Sequence, residues 1–392
     1  MYIEIAFFFV IILIIYPFAI YPVSIIALSL LKKKKEMKRF NLDELPFVSL
    51  IITAYNEEVV ILRKLEETLK YNYPRNKFEV IVVSDDSDDK TNEIVTGFIS
   101  SRKTTQPGYK FLCVEGRKGK TFCQNYATKQ ARGEILAFSD SNSQWNPEAL
   151  LRLVEVFKDD KIGYVSGNLV YLNSSEDLTS HVEGLYWNFD IKLREIESNL
   201  SSIVGGNGAI YAIRKGNYVN LPPLLSHDGF MPTKIVLQGM KAKFVKEAVA
   251  GEYASTDSVD EFQRKVRMQR GQPWKKYYDF KKFNIFKYGL FTYFYIGHKF
   301  LKYILYLTHP ALFVLNVLIF DLSILYKITL FMQVIFYIFS IIGYILRNKT
   351  KIKVFYYPYH YMLTVIAQFV SVINTFSGKS KPTWSKSKTT RK

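Results

Sequence analysis

Glu134-Ile-Leu-Ala-Phe138, followed by Ser139 and Asp140-Ser141-Asn142, is the stretch on which the fold turns. A short apolar run bounded by polar residues reads as a buried strand. Pro147-Glu148 shortly afterwards reads as a helix start. An acidic residue at the tip of such a strand faces the crevice where α/β sheets bind ligands. A carboxylate there can hold a divalent metal, and the metal can hold a diphosphate.

The same pattern repeats upstream. Phe47-Val-Ser-Leu-Ile-Ile-Thr53 reads as a first strand and Glu58 to Leu69 as a helix. Phe78 to Val83 is a second strand, ending at Ser84-Asp85-Asp86-Ser87, and Asp88 to Ile99 is helical. Tyr109 to Val114, Lys120 to Ala131 and Glu134 to Phe138 continue as strand, helix and strand. The alternation predicts an α/β domain, a mostly parallel sheet with helices on both faces. Polar residues gather at the strand carboxyl ends, which converge in such a sheet. No G-x-G-x-x-G or Walker loop follows the first strand, which counts against a dinucleotide oxidoreductase and a P-loop ATPase.

The ends of the 392-residue chain are apolar. Ile5 to Leu31 is long enough to span a bilayer, which takes roughly 20 residues. Lys32 to Lys35, Lys38 and Arg39 follow, so the positive-inside rule predicts a cytoplasmic central domain. Glu4 at its start and the lack of a small-residue cleavage site argue against a signal peptide. Tyr303 to Phe320 and Ile328 to Leu346 read as a hairpin of spans. Tyr356 to Phe376 is a further apolar stretch with basic flanks on both sides. Either it is re-entrant or interfacial, or the basic tail from Lys379 lies outside. Phe280 to Lys302 alternates aromatics with Lys and His, the pattern of an amphipathic helix lying on a membrane. The expected organisation is a transmembrane anchor over 1–31, a cytoplasmic domain over 40–279, an interfacial helix over 280–302, transmembrane or re-entrant helices over 303–378 and a basic tail over 379–392.

Lys and Arg total 53 against 35 Asp and Glu, a net charge of +18. Much of the excess flanks apolar segments, which points to a lipid bilayer, and no recognised motif supports a nucleic-acid partner. Cys113 and Cys123 fit no metal spacing and read as core residues.

Taken in order, the motifs resemble family 2 glycosyltransferases. Ser49-Leu-Ile-Ile-Thr-Ala-Tyr-Asn-Glu-Glu58 is similar to that family's opening strand and loop, and Val82 to Thr91 to its second-strand motif. Lys118-Gly-Lys120 with Asn125, then Phe138 to Asn142, continue the series. Gly205 to Arg214 resembles the acceptor-side strand, and Ser226-His-Asp-Gly-Phe-Met-Pro232 the catalytic segment. The resemblance spans roughly residues 47 to 275 and implies a GT-A-like nucleotide-diphospho-sugar transferase domain. It places Thr53, Tyr55 and Glu57 against base and ribose, with Asp85 holding the uracil or ribose. Lys120, with Lys118 as second candidate, lies near the diphosphate. Asp140 and Asn142 take the D-x-D positions for a divalent cation, Mg or Mn. Asp228 is the catalytic base of an inverting transfer, and Gly206 and Arg267 stand on the acceptor and diphosphate side. The implied partners are a nucleotide-diphosphate sugar, UDP-sugar first, and a lipid-linked or saccharide acceptor.

The chain departs from the family pattern at several positions. Asn142 replaces the usual Asp, and Asp86 stands where Gly is common. His227, expected to be a surface residue, replaces an acidic neighbour. Arg264 and Met268 replace the Gln and Trp of Q-x-x-R-W, with Trp274 either a stand-in or an anchor at the membrane interface. Loss of that Trp favours single or few additions over a processive polysaccharide synthase coupled to export. A catalytically degenerate membrane scaffold is the alternative of another class. Asp89 reads as a helix-start residue, and Trp187 as core or acceptor platform.

Overall fold

β1 (Val48–Ala54) and β2 (Phe78–Ser84) are buried at every position, so both faces of the sheet are covered and the strands read as continuous apolar runs. A computed structural model describes residues 1–32, 39–102, 107–174, 178–270, 279–347, 352–383 and 390. Residues 33–38, Trp274 and most of the basic tail lie outside the described residues. The remaining strands are β3 (Gly108–Cys113), β4 (Ile135–Asp140), β5 (Gln144–Trp145), β6 (Ile162–Tyr171), β7 (Ile210–Arg214) and β8 (Lys241–Glu252). They form one eight-stranded sheet in the order β3-β2-β1-β4-β7-β6-β8-β5.

The four strands read from the sequence pair in parallel. Beyond β4 the sheet is mixed: β7 runs antiparallel to both β4 and β6, and β6 is parallel to β8. The sheet is therefore purely parallel in its first half and mixed in its second. From β1 the chain winds outward to β2 and β3, then returns to place β4 on the other side of β1. That reversal is a topological switch point, and it opens a crevice at the carboxyl ends of β1 and β4. Alternate residues feed two cores, Leu50, Ile52, Val80 and Val82 on one face and Ile51, Ile81, Val83 and Phe138 on the other.

Two described helices are long and apolar enough to cross a membrane, Tyr2–Leu30 and Ile324–Leu346. Leu290–Tyr303 and Leu305–Leu318 form a pair bent by 67° that would make a third. The single interfacial helix expected over 280–302 is not formed. Phe280–Phe283 is one turn of 3-10 helix and Ile285–Tyr288 one short turn capped by Asn284. Gly289, at φ +53°, then redirects the chain. The helix Leu290–Tyr303 buries Phe291, Phe294, Tyr295 and His298 against the central domain. The last apolar stretch is the helix Lys353–Phe376, which packs on the domain through polar contacts as well. Its Tyr356 hydroxyl meets Thr179 Oγ1 at 2.7 Å and its His360 Nε2 meets Glu183 Oε1 at 2.8 Å.

A buried polar chain joins the anchor helix to the domain. Tyr21 Oη donates to Glu197 Oε1 at 2.5 Å, and His298 Nδ1 meets the same oxygen at 2.6 Å. His298 Nε2 meets Asp190 Oδ1 at 2.7 Å. Arg194 Nε donates to Asp190 Oδ2 at 2.6 Å, and its Nη1 donates to the Gly206 carbonyl at 2.7 Å. Burial pushes the Asp190 carboxyl up, but Arg194 and His298 more than offset it and hold it well below the carboxylate range.

Candidate active site

Strand register assembles one side of the candidate site. Thr53 pairs with Asp140, and Ala54 with Ser84, so the motifs after β1, β2 and β4 leave the sheet along one edge. Asp140 ends β4, and its Oδ1 accepts a hydrogen bond from Lys120 Nζ. Lys120 opens the helix Lys120–Gln130, whose first turn aims its stem at that edge. Both side chains stay about 29% exposed, within reach of a ligand in the crevice.

Asp228 arrives from the other half of the sheet. It lies in the first turn of the helix His227–Leu237. The Gly206 amide donates to the Asp228 carbonyl at 2.8 Å. Gly208 is the meeting point: a Cβ there would stand 3.3 Å from Lys120 Nζ and 3.6 Å from Asp228 Cγ. Lys120, Asp140 and Asp228, read from three separate motifs, thus face one space. Gly208 was only part of a motif in the sequence; the signal that could have found it is a glycine opposite two charged side chains.

Gly206 is as tightly placed. A Cβ at 206 would fall 1.8 Å from the Tyr164 hydroxyl, and Tyr164 is fully buried. Gly206→Ala should therefore destabilise the fold by roughly 1–3 kcal/mol and displace the Asp228 backbone. The expected result is a lower thermal midpoint together with lost turnover, both partly restored by adding Tyr164→Phe.

Other expected donor residues divide. Asp85 is buried, and its Oδ1 accepts from the Lys118 amide at 2.7 Å while its Oδ2 accepts from the Gly119 amide at 3.0 Å. Its observed contacts are to the loop that precedes Lys120. Asp86 adopts φ +58° and accepts from the Gly116 amide at 3.1 Å, a left-handed turn that explains why Gly is suited to this position. Asp89 Oδ1 accepts from the Thr91 amide at 2.9 Å and starts the helix Thr91–Ser100, as expected. Lys118 lies over the Phe122 ring at 5.4 Å. Glu57 is buried and its amide donates to Thr91 Oγ1 at 2.7 Å. Thr53 is buried and its carbonyl accepts from Ser141 Oγ at 3.2 Å.

Tyr55 faces outward, its ring covered by the Arg117 guanidinium at 3.2 Å from the centroid. Together they line a cavity of about 780 Å³ whose far wall carries Arg267 and Arg270. Arg264 also borders it, but its guanidinium is held by Glu261 and Glu183 at 2.8 and 2.9 Å. Met268 is exposed, and Trp187 is tied down by its Nε1–H donating to the Leu169 carbonyl at 2.9 Å.

His227 corrects the sequence reading. It is buried, with Nδ1 2.6 Å from Gln124 Oε1 and Nε2 2.7 Å from the Tyr218 hydroxyl. Burial, with Lys120 nearby, pushes its pKa down to about 3. Its polar neighbours Ser226 and Asp228 suggest a surface position and do not reveal such partners, which come from 9 and 103 positions away.

Among the described residues no three His, Cys, Asp or Glu side chains gather as a metal cage. Asp140 and Asn142 nevertheless carry the donor type that a magnesium-type ion takes. Both are hard oxygen donors, and such ions keep waters and substrate phosphates as their other ligands.

An α/β sheet with its switch point at an acidic strand end, faced by a carboxylate from the mixed half, defines a GT-A-like domain. A family model described as "Glycosyl transferase family group 2" matches residues 135–347, and "Glycosyl transferase family 2" matches residues 49–215. The chain belongs to the family 2 glycosyltransferases. It is 33% identical over 147 residues to "Probable glycosyltransferase YdaM" of Bacillus subtilis, covering 36% of this chain and 33% of the relative. It is 28% identical over 177 residues to "Beta-monoglucosyldiacylglycerol synthase" of Trichormus variabilis, covering 45% of this chain and 36% of the relative. The chain thus spans about a third of the length of these relatives. Its fold is that of the mannosyltransferase PcManGT from Pyrobaculum calidifontis, solved in complex with GDP-Man and Mn2+. That likeness has a TM-score of 0.63 at 19% identity and covers 94% of this chain and 98% of the other.

Proposed function

We propose that the protein is a membrane-bound inverting glycosyltransferase, moving a sugar from a nucleotide-diphosphate sugar to a lipid-linked or saccharide acceptor at the cytoplasmic face. The observation that carries this reading is the convergence of Lys120, Asp140 and Asp228 around Gly208. Asp228 takes the proton from the attacking acceptor hydroxyl as that oxygen bonds to the anomeric carbon. The bond to the diphosphate breaks, and Lys120 stabilises the charge that develops on it. Asp140 and Asn142 would hold a Mg or Mn ion, which supplies further positive charge to the same phosphates. No covalent intermediate on the protein is required.

The family, the acidic strand tip and the basic helix start support a nucleotide-diphosphate sugar as donor, and a UDP-sugar is the first to test. Helix Leu290–Tyr303 supports an acceptor met at the membrane boundary. Its Lys299 Nζ donates to the carbonyls of Val204 (3.3 Å) and Gly229, directly beside Asp228.

The test is release of nucleoside diphosphate by purified protein from a panel of UDP- and GDP-sugars, with lipid extract as acceptor, with and without Mg or Mn. One donor should turn over, dependent on acceptor and metal, and give products of one or a few added sugars. A long polymer would replace single addition with processive synthesis. No turnover of any donor, beside intact folding, would sink the enzymatic reading.

A further inference from the structure

A small cleft lies against the segment that carries Asp228. The helix His227–Leu237 contributes Gly229, Thr233 and Lys234, and Asp279, Lys282 and Lys299 close it from the stretch that leads to the membrane helices. Thr233 is 5% exposed, yet its hydroxyl has no hydrogen-bond partner among the described residues. A buried polar group without a partner calls for one from outside the chain.

Around that hydroxyl three ammonium groups meet one carboxylate. Lys234 Nζ donates to Asp279 Oδ2 at 3.4 Å. Lys299 Nζ donates to the carbonyls of Val204, at 3.3 Å, and Gly229, which leaves one of its three N–H groups for a ligand. Lys282 is 4% exposed, with Nζ 4.4 Å from the centroid of the Tyr295 ring and its carbonyl held by Thr292 Oγ1 at 2.8 Å. Burial, then the Lys299 ammonium, lowers the Lys282 pKa to about 7. Like charges gathered round one space favour an anionic occupant, and an anion would make charge-assisted hydrogen bonds there. The cleft has room of about 10 Å³, space for one water-sized group. A single phosphate oxygen fits it, whereas a whole phosphate ion does not.

The surroundings select the source of that oxygen. Phe286 is fully exposed and Ile285 half exposed, and Lys281 and Lys287 beside them are exposed too. The bent pair of membrane helices, Leu290–Tyr303 and Leu305–Leu318, follows directly. Apolar side chains set among lysines at the start of a membrane segment suit an anionic bilayer surface. We propose that Thr233, Lys234, Lys282 and Lys299 form a binding site for the phosphate of an anionic lipid, with one phosphate oxygen in the cleft and the rest of the headgroup at its mouth. Gly229 follows Asp228 directly, so this lipid would be held one residue along the chain from the proposed base. Its binding needs neither donor nor acceptor and is measured without turnover.

The experiment titrates the full chain in detergent with phosphatidylglycerol, phosphatidylcholine or inorganic phosphate and counts bound molecules by native mass spectrometry. Phosphatidylglycerol should bind more tightly than phosphatidylcholine, and inorganic phosphate should not displace it. Lys234→Ala/Lys282→Met should weaken phosphatidylglycerol binding about 10-fold, the effect of removing two basic side chains from an anionic lipid contact. Thr233→Val, which keeps the shape and removes only the hydroxyl, should weaken it about 3-fold. Lys281→Ala/Lys287→Ala removes the same charge from the exposed surface and should cost less than about 3-fold, because exposed charges are screened. An equal loss in that surface pair would overturn the inference, since diffuse charge would then explain the binding. Equal binding of phosphatidylcholine, or displacement of the lipid by inorganic phosphate, would overturn it as well. Thermal midpoints are measured for every variant. Should the Lys234/Lys282 double variant fail to fold, Thr233→Val decides alone, and unchanged binding in it would sink the site.

Discussion

Asp228→Asn should lower transfer by about 10³-fold while leaving donor affinity within about 3-fold, the range of effect expected of a positioned general base. The substitution keeps the shape of the side chain and leaves the backbone bond from the Gly206 amide in place. It removes only the capacity to accept a proton. In the proposed reaction Asp228 serves the acceptor, and Lys120 keeps its bond to Asp140, so the donor should bind nearly as before. Single-turnover assays at saturating donor separate this loss in kcat from a change in KM. Retention of turnover within 10-fold of the unaltered protein would remove Asp228 from the role of base.

Asp140→Ala should cost about 10² to 10³ in kcat/KM, a loss of the size seen when one electrostatic stabiliser of a developing charge is removed. Two effects combine. The ion loses its only charged ligand among the two proposed, and Lys120 loses the carboxylate that orients its ammonium. Stimulation by Mg or Mn should largely vanish. Asn142→Asp provides the opposite perturbation, because a second carboxylate strengthens a hard-cation site. The metal concentration giving half-maximal rate should fall in that variant. Full activity in Asp140→Ala would overturn the assignment of the strand tip.

The parallel half was legible because its signals are local. β1, β2 and β4 are buried on both faces, so each appears as an apolar run with a polar end, and parallel register brings those ends together. The mixed half was not legible in the same way. β6 and β8 pair residues far apart in the chain, such as Ile162 with Lys241, with two register shifts that no pattern along the chain records. His227 was misread for the same reason, since Gln124 and Tyr218 reach it from other elements. The segment over 280–302 shows the limit of periodicity: its aromatic and basic alternation is real, but Asn284 and Gly289 break the helix. Asp85 was read for its type, whereas the geometry turns its carboxylate inward to the loop.

The buried chain from Tyr21 through Glu197, His298, Asp190 and Arg194 to Gly206 has a practical consequence for anyone wishing to isolate a soluble catalytic fragment. Cutting away Tyr2–Leu30 and the segment from Leu290 onward would strip Glu197 and Asp190 of the hydroxyl and imidazole that face them. Each would be left a buried carboxylate short of a partner, a defect worth about 3–5 kcal/mol when a buried pair is broken. The carbonyl that Arg194 holds belongs to the residue whose amide holds Asp228. Such a fragment would thus be damaged at its reactive end, far from the cut, and a silent soluble preparation would say nothing against the intact protein.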